Sequence, residues 1–296
     1  MTSAAQRQAQ QNRGTIFVED GEVIEVNAFP GDQFITRIRA PQCARAAAPG
    51  TFVHLNCDDS LPMRRPLSIM RAKDDWIEVL YKIVGDGLRL LSRARPGDRI
   101  SVLGPIGRSF RTMPERPKTL LIGGGVGIPP MIFIADQLRR QPDDWQPLAI
   151  LGSEIPFPFK LRSSNIEVPG VDADINSTMP LLEGWGVPCR LTTNAGYDGC
   201  FNGYVTDLAA QWLATLSVDD LRRTAVFACG PTPMLKAVAA LAERYNMPCQ
   251  VSLEEFMACA VGGCAGCAVK IKTPVGEAMQ RVCIDGPVFD AATVVW

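Results

Sequence analysis

A group of four cysteines near the carboxyl end constrains the fold of this chain more than any other feature. Cys259, Cys264 and Cys267 lie in MACAVGGCAGCAV and Cys283 follows in RVCIDGPVF, which gives the spacing C-x4-C-x2-C-x15-C. The first intervals match plant-type ligation of a [2Fe–2S] cluster, in which four thiolates hold two irons. Glycines between the cysteines let a short loop wind around such a compact group. The cysteines therefore predict a small iron–sulfur domain at residues 251–296.

Two other interpretations of these cysteines stay open. Four thiolates also suit a structural zinc ion, although zinc ribbons usually carry two C-x2-C pairs and only one is present. Cys264 and Cys267 alone would form a thioredoxin-like redox pair, which leaves their two neighbours without a role. Five further cysteines carry no functional pattern and are expected to pack as small residues: Cys43, Cys57, Cys189, Cys200 and Cys249.

Composition and charge exclude several classes of protein. With 296 residues, 47% of them hydrophobic, the chain can form two domains and a small third. A net charge of −1 argues against a general nucleic-acid binder, and the lack of a long apolar run argues against a membrane partner. Met1–Arg13 is polar and is expected to be a disordered tail. Ten cysteines without a secretory signal predict a cytoplasmic location.

The hydrophobic pattern of the chain changes near residue 115, and the cysteine segment begins at residue 251. Residues 14–114 contain short alternating runs separated by glycine and proline, which predicts an antiparallel β-barrel. Residues 115–250 alternate apolar strands with helix-period segments, which predicts an open parallel sheet of the Rossmann-like kind. Within it, residues 153–186 are rich in proline and glycine and are expected to form a long insertion, an excursion or a lid.

A glycine-rich turn in the second region is a candidate nucleotide site. LLIGGGVGIPP follows a strand and opens a helix, and Gly124, Gly125 and Gly127 allow the backbone to approach a phosphate. The companion stretch FACGPTPML places Cys229 and Gly230 at the carboxyl end of another buried strand, where open sheets bind ligands. A capped strand–helix junction without function would have the same sequence.

The barrel region carries a possible flavin contact in MRRPLSIM. Arg65 and Ser68 flank Pro66 and Leu67 on an expected strand, where an arginine and a hydroxyl three residues apart can meet a pyrophosphate and a ring edge. An ordinary exposed arginine is the alternative. The single histidine, His54, is expected to pack or to lie exposed in a barrel strand, and it gives no support to a Ser-His-Asp triad or Rieske ligation.

Taken together, these motifs resemble the ferredoxin–NADP reductase superfamily. RPLS is similar to its flavin motif, YKIVGDGLRLLSRARPGD to its second flavin segment, and GGGVGIPP and CGP to its nicotinamide motifs. The tail SLEEFMACAVGGCAGCAVKI…RVCIDGPVF resembles one branch closely, the electron-transfer subunits of class 1B dihydroorotate dehydrogenase. The resemblance covers nearly the whole chain after residue 14.

The resemblance implies three cofactors: FAD, a [2Fe–2S] cluster and NAD. For FAD it implies the contacts Arg65, Pro66, Leu67, Ser68, Lys82, Ile83, Val84, Gly85 and Gly87. For the dinucleotide it implies Gly124, Gly125, Gly127, Cys229 and Gly230, with Cys229 beside the nicotinamide as the candidate catalytic residue. For the metal it implies Cys259, Cys264, Cys267 and Cys283.

Two positions depart from the family pattern. Leu88 stands where relatives carry a hydroxyl residue after the second flavin glycine, and the insertion is longer than usual. Glu154 follows the second strand of the sheet and would repel a 2′-phosphate, which favours NAD over NADP, although Lys160 and Arg162 lie close in sequence.

The resemblance also implies a function and a partner. An FMN-containing catalytic subunit would oxidise dihydroorotate, and this chain would carry the electrons to NAD⁺, the two forming a heterotetramer for pyrimidine biosynthesis. A flavin and iron–sulfur reductase serving another redox partner, and a zinc-stapled binding module, are the alternatives.

Overall fold

The structure is a computed structural model that describes residues 14–141 and 144–296. The tail expected at Met1–Arg13 lies outside the described residues. In the part of the chain that is described, no helix is long and apolar enough to cross a membrane.

A closed barrel of six antiparallel strands forms the amino-terminal part. Its strands are β1 (Phe17–Phe29), β2 (Gln33–Arg39), β3 (Phe52–Asn56), β4 (Arg65–Lys73), β5 (Trp76–Lys82) and β6 (Arg99–Ile106), hydrogen-bonded in the order β1-β2-β5-β4-β3-β6. Because side chains alternate along a strand, every second residue points inward. Val53 and Leu55 of β3 and Ile77 and Val79 of β5 are fully buried there. The predicted barrel is confirmed.

Two short helices interrupt the barrel sequence. They are α1 (Pro41–Ala46), after β2, and α2 (Gly85–Leu91), after β5. Gly85 has φ +74°, a value that favours glycine, and this lets the chain turn sharply from β5 into α2. Leu88 and Leu91 are buried in the barrel core. Leu88, the departure from the family pattern, therefore packs as an apolar residue.

A seven-stranded sheet forms the second part. Its strands are β7 (Lys118–Gly124), β8 (Gln146–Gly152), β11 (Cys189–Thr193), β12 (Phe201–Asn202), β13 (Thr224–Cys229), β14 (Cys249–Ser252) and β17 (Val288–Asp290), in the order β12-β11-β8-β7-β13-β14-β17. All neighbours are parallel except β17, which runs antiparallel to β14. The strand order reverses direction beside β7, and such a switch point is where open sheets bind ligands.

Helices cover both faces of this sheet, as the predicted Rossmann-like fold requires. The helices are α3 (Ile128–Leu138), α4 (Pro180–Gly184), α5 (Val205–Ala214), α6 (Val218–Arg222) and α7 (Thr232–Arg244). Ile132 of α3 packs on one face, while Leu208 of α5 and Leu235 of α7 pack on the other. Strand residues alternate accordingly, with Leu121 facing α3 and Leu120 facing α5 and α7.

The insertion at residues 153–186 packs against the body of the protein. It contains a two-stranded sheet of β9 (Arg162–Ser163) and β10 (Ser177–Thr178), and it ends in α4. Phe157 and Met179 are buried with α3, and Val168 is buried on the opposite face of the main sheet. The insertion thus contributes apolar residues to both faces of the sheet.

The carboxyl-terminal segment joins the two larger parts. It contains the hairpin β15 (Ala268–Thr273) and β16 (Gly276–Arg281), and β17 completes the edge of the main sheet. Cys267 and Cys283 are buried in one cluster with Phe52 of the barrel and Val251 of the sheet. The expected boundary between residues 250 and 251 falls inside β14.

Candidate functional site

A pocket of about 490 Å³ lies where the barrel, the glycine turn and the carboxyl-terminal segment meet. The barrel side supplies Phe52, Pro66, Leu67, Ser68, Leu80, Tyr81, Lys82, Val84 and Leu88. The other wall consists of Val126, Ser252, Leu253, Glu254, Glu255, Phe256, Met257 and Pro287. Pockets of this size, apolar with a few polar groups, are the usual setting for a cofactor.

Most of the residues expected to contact flavin lie in or beside this pocket. Pro66, Leu67 and Ser68 line it from β4, and Lys82 and Val84 line it from the end of β5 and the segment that follows. Their grouping follows from barrel closure, since β4 and β5 are hydrogen-bonded neighbours.

The other flavin candidates lie around the start of α2. The guanidinium of Arg65 lies so close to Gly87 that a Cβ there would stand 2.9 Å from Arg65 Nε. Gly87 therefore makes room for the arginine, and Gly85 makes the turn into α2. Ile83 does not line the pocket, and its N–H donates to the carbonyl of Asp32 at 2.9 Å.

The glycine turn lies at the carboxyl edge of the sheet, against the end of β13. Gly125–Gly127 form one turn of 3₁₀ helix before α3, and Gly125 has φ +55°. A Cβ on Gly127 would stand 2.3 Å from the carbonyl oxygen of Cys229, and one on Gly124 would stand 2.5 Å from Met234 Sδ. Gly127 is required because the glycine turn touches the main chain at the end of β13, whereas at Gly124 the neighbour is a flexible side chain of α7.

Cys229 is buried at the end of β13, and it does not line the pocket. Burial raises the pKa of its thiol well above the ordinary value, and the charge of Glu254 acts in the same direction, while a hydrogen bond with Ser252 opposes them. The thiol is therefore neutral at pH 7 and is not a nucleophile. Its contribution would be steric or through hydrogen bonding, beside Gly230.

Sequence reasoning missed the wall formed by residues 252–257. Ser252 ends β14 and Glu254 follows it, so both lie at the same carboxyl edge as Cys229. Desolvation raises the pKa of Glu254. Phe256 is 95% exposed although it lines the pocket. A signal was available, because Glu254 stands two residues after the end of a buried strand, but the stretch SLEEF was assigned to the cysteine segment.

The four cysteines of the carboxyl-terminal loop meet in two pairs. The thiols of Cys259 and Cys264 contact each other, and so do those of Cys267 and Cys283. Cys264 N donates to Cys259 Sγ at 3.4 Å, and Cys283 N donates to Cys267 Sγ at 3.5 Å. Across residues 14–141 and 144–296, no three His, Cys, Asp or Glu side chains surround one point in the way a single metal ion needs. Two pairs of thiols fit a two-iron cluster, in which each iron takes two protein ligands.

The loop between the cysteines is wound so that main-chain N–H groups face sulfur. Gly266 N donates to Cys264 Sγ at 3.4 Å. A Cβ on Gly262 would stand 2.2 Å from Ile284 Cδ1, and Arg281 Nη1 donates to the Gly262 carbonyl at 3.1 Å. Burial raises the pKa of Cys259, but main-chain donors outweigh it and bring the value to about 7. These donors therefore favour the thiolate of Cys259, the form that binds iron, whereas burial and the neighbouring Cys267 raise the pKa of Cys283 to about 12.

His54, on β3, is buried with 1% of its surface exposed. Neither ring nitrogen has a hydrogen-bond partner, although the main chain of Arg64 and Met257 lies close enough to favour the protonated ring. Burial lowers the pKa to about 4, and the charge of Arg64 acts in the same direction. The ring is therefore neutral at pH 7.

The lowered pKa of His54 predicts a loss of stability in mild acid. The unfolded chain takes up a proton near pH 6.5 and the folded protein only near pH 4, so the unfolded state binds more protons between these values. As the pH is lowered from about 6.5 to about 4, the free energy of unfolding should fall by ~1–3 kcal/mol, at ~1.4 kcal/mol per pKa unit. Chemical denaturation of the wild type and of His54→Phe at several pH values measures it. Equal pH slopes in the two proteins would contradict the prediction.

The barrel, the nucleotide-type sheet and the paired cysteines define an oxidoreductase of the flavin reductase type that carries an iron–sulfur domain. Residues 254–295 match the model of the iron–sulfur cluster binding domain of dihydroorotate dehydrogenase B. Similar curated proteins are dihydroorotate dehydrogenase B (NAD(+)) electron transfer subunits. That of Desulforamulus reducens is 31% identical over 94% of this chain and 98% of its own length, and that of Geobacillus thermodenitrificans is 35% identical over 85% and 88%. The chain belongs to this family of electron transfer subunits.

Solved structures agree with this assignment. An NADH-dependent reduced ferredoxin–NADP oxidoreductase, studied for flavin-based electron bifurcation, matches with a TM-score of 0.74 and 26% identity over 94% of this chain and 90% of its own. The ferredoxin reductase of carbazole 1,9a-dioxygenase matches with a TM-score of 0.60 and 20% identity over 79% and 67%, which shows the shared fold. FAD, a [2Fe–2S] cluster and NAD, the three cofactors expected from the sequence, are those of this class of reductase.

Proposed function

We propose that this chain passes electrons between a [2Fe–2S] cluster, FAD and NAD, and so couples the oxidation of dihydroorotate in a partner subunit to the reduction of NAD⁺. The observation that carries the proposal is the position of the pocket. Its lining runs from the RPLS strand through Val126 of the glycine turn to Met257, two residues before Cys259. A flavin exchanges electron pairs with nicotinamide and single electrons with an iron–sulfur cluster, so it belongs between the two.

The residues proposed to hold FAD are those that line the pocket or stand at its edge. Leu67 and Pro66 offer apolar surface, Ser68 offers a hydroxyl, and Lys82 offers a positive charge. Arg65, packed on Gly87, stands where it can meet a pyrophosphate. Val84, Gly85 and Ile83 would contribute through the main chain, although the Ile83 N–H is already bonded to Asp32.

The proposed dinucleotide site is the edge formed by Gly124, Gly125, Gly127, Cys229 and Gly230. It lies at the switch point of the sheet, and Val126 of the same turn reaches the flavin pocket. The chain's own contribution there is to orient the nicotinamide against the flavin and to exclude water, because hydride transfer needs no acid or base.

Cys259, Cys264, Cys267 and Cys283 are the proposed ligands of the cluster. Cys264 is exposed and Cys259 partly so, whereas Cys267 and Cys283 are buried. The first pair therefore faces the solvent side, where a partner that exchanges electrons can approach. None of the ten cysteines is joined in a disulfide, which supports the proposed cytoplasmic location.

The proposed partner is an FMN-containing catalytic subunit that oxidises dihydroorotate, with two copies of each subunit in a heterotetramer. The support is the name shared by the relatives, electron transfer subunit of dihydroorotate dehydrogenase B. One observation favours a second candidate, a reductase for another redox partner: the NADH-dependent ferredoxin–NADP oxidoreductase has the same fold over 94% of this chain.

Anaerobic purification followed by metal and flavin analysis tests the proposal. We expect about two irons, two sulfides and one FAD per chain, and an EPR signal of a reduced cluster after NADH is added. Mixing with a dihydroorotate-oxidising subunit should then give dihydroorotate-dependent reduction of NAD⁺. Zinc without flavin or sulfide would contradict the proposal. NADH-driven cluster reduction without any coupling to dihydroorotate would point to the second candidate.

A further inference from the structure

His54 lies between the barrel and the segment that leads to the first cluster cysteine. Val53 and Leu55, its neighbours on β3, point into the barrel core. Since side chains alternate along a strand, His54 points outward, on the side of Phe52. Phe52 belongs to the cluster that buries Cys267 and Cys283. The imidazole therefore faces the iron–sulfur segment.

The neighbours of His54 belong to both candidate cofactor sites. Across the barrel strands it pairs with Pro66, which lines the flavin pocket, and with Leu103, which packs on the core around the buried cysteines. Arg64 holds its position, because Nη1 donates to the His54 carbonyl at 3.1 Å and to the Ser101 carbonyl at 2.9 Å.

The ring itself lies beside the main chain of Arg64, on its own side of the barrel, and of Met257, in the segment that leads to the cysteines. Met257 lines the flavin pocket and precedes Cys259 by two residues. A neutral imidazole has one donor and one acceptor nitrogen, and both are buried here without a partner. An apolar side chain of similar size would fill the same space without this penalty. The His54 imidazole is costly to bury, and it lies between the flavin pocket and the cysteine loop. This favours a hydrogen bond from the ring that forms when both cofactor sites are filled.

We propose that His54 is a positioning residue for electron transfer between the flavin pocket and the cluster. In the cofactor-loaded protein its ring N–H donates to the main-chain carbonyl of Met257 and fixes the segment 257–259 against the barrel, between the pocket and the cysteines. The expected effect on the rate of electron transfer rests on the proposed function. The contact itself is independent of the redox partner.

Three variants test this role. His54→Phe keeps a flat ring and removes both nitrogens, and His54→Gln restores a donor at about the reach of the distal ring nitrogen. Thr119→Val is the matched control, because the Thr119 hydroxyl is also buried without a partner, on β7 at the end of the sheet away from the glycine turn. Each variant is purified anaerobically as the full chain with its partner subunit. Flavin and iron content, the rate of cluster reduction by NADH, and amide hydrogen exchange of residues 257–261 are then measured.

We expect His54→Phe to bind flavin and iron normally, to reduce its cluster about 10-fold more slowly, and to exchange amide hydrogens faster at residues 257–261. A displacement on the order of 1 Å is enough for such an effect on a positioned reaction. His54→Gln should recover much of the rate, and Thr119→Val should behave as the wild type. If His54→Phe is poorly folded, His54→Leu replaces it, since it also lacks a hydrogen-bond donor and should leave the rate low.

Two results would overturn the proposal. Wild-type cluster reduction and unchanged exchange in His54→Phe would show that the residue only fills space. Loss of flavin in every His54 variant would place the residue in the flavin site instead. If the wild type shows no cluster reduction by NADH, the proposed function fails, and the exchange of residues 257–261 still decides whether His54 holds this segment.

Discussion

Replacing Cys264 with serine should abolish electron flow between this chain and the partner subunit while NADH oxidation by an artificial dye continues. Cys264 is the exposed member of the outer thiol pair, and its Sγ also accepts from the Gly266 N–H. A serine hydroxyl is a poor ligand for iron at neutral pH, so the cluster should be lost or unstable. Changes to residues that only contact the ligands can cost about 10–100-fold in metal affinity or activity. Because Cys264 is itself a proposed ligand, we expect the activity coupled to the partner subunit to fall by more than ~100-fold.

The matched control for this variant is Cys200→Ser, which changes a partly exposed thiol outside the cysteine loop. It should keep iron, flavin and coupled activity. Iron and sulfide analysis, the EPR signal after NADH, and the two activities measured side by side distinguish the outcomes. Simultaneous loss of dye activity and coupled activity in Cys264→Ser, with flavin lost as well, would contradict separate roles for the flavin and the cluster.

Replacing Gly127 with alanine should impair NADH binding while flavin stays bound. The new Cβ would stand 2.3 Å from the Cys229 carbonyl oxygen and 2.5 Å from the Gly230 nitrogen, both of them main-chain atoms. The glycine turn and the end of β13 must therefore move apart at the proposed dinucleotide site. Overpacking of this kind costs about 1–3 kcal/mol of stability. The KM for NADH should rise by ~10-fold or more, since misplacement on the order of 1 Å can cost ~100-fold.

Gly184→Ala is the control for this second prediction, because a Cβ at Gly184 meets no other atom within 4 Å. It should leave both stability and the KM for NADH unchanged. Stopped-flow reduction of the flavin by NADH, together with chemical denaturation, separates a binding defect from general unfolding. Normal NADH kinetics in Gly127→Ala would show that this edge of the sheet is not the dinucleotide site.

Local patterns in the sequence were enough to predict the architecture. Alternation and turn residues predicted the barrel, and the change to helix-period segments predicted the parallel sheet, because these periodicities follow from backbone geometry within a few residues. The glycine turn was likewise predictable as a junction between a strand and a helix, because its glycines follow an apolar run and precede a helix-period segment, whereas the contact of Gly127 with Cys229 depends on β7 and β13 being neighbours. The spacing of the cysteines led to the iron–sulfur domain, with which the family model agrees.

Contacts between distant segments could not be read in the same way. The position of residues 252–257 in the pocket wall depends on β14 adding to the sheet beside β13, and no short pattern encodes that neighbour. The same holds for β17, which returns from the cysteine segment to pair with β14. Ile83 lies in the segment that resembles a flavin motif, yet its N–H donates to the carbonyl of Asp32, in the turn before β2.

The sequence by itself determined the kinds of element, the order in which they follow one another, and the thiols and glycines available for cofactors. Only the tertiary structure decided that the thiols meet as two pairs, that Glu254 and Phe256 complete the pocket, and that His54 is buried between pocket and cluster loop. The physical reason is the distance along the chain over which each interaction acts. Hydrophobic period and backbone freedom act over a few residues, whereas burial and pairing depend on which surfaces meet when barrel, sheet and carboxyl-terminal segment pack together.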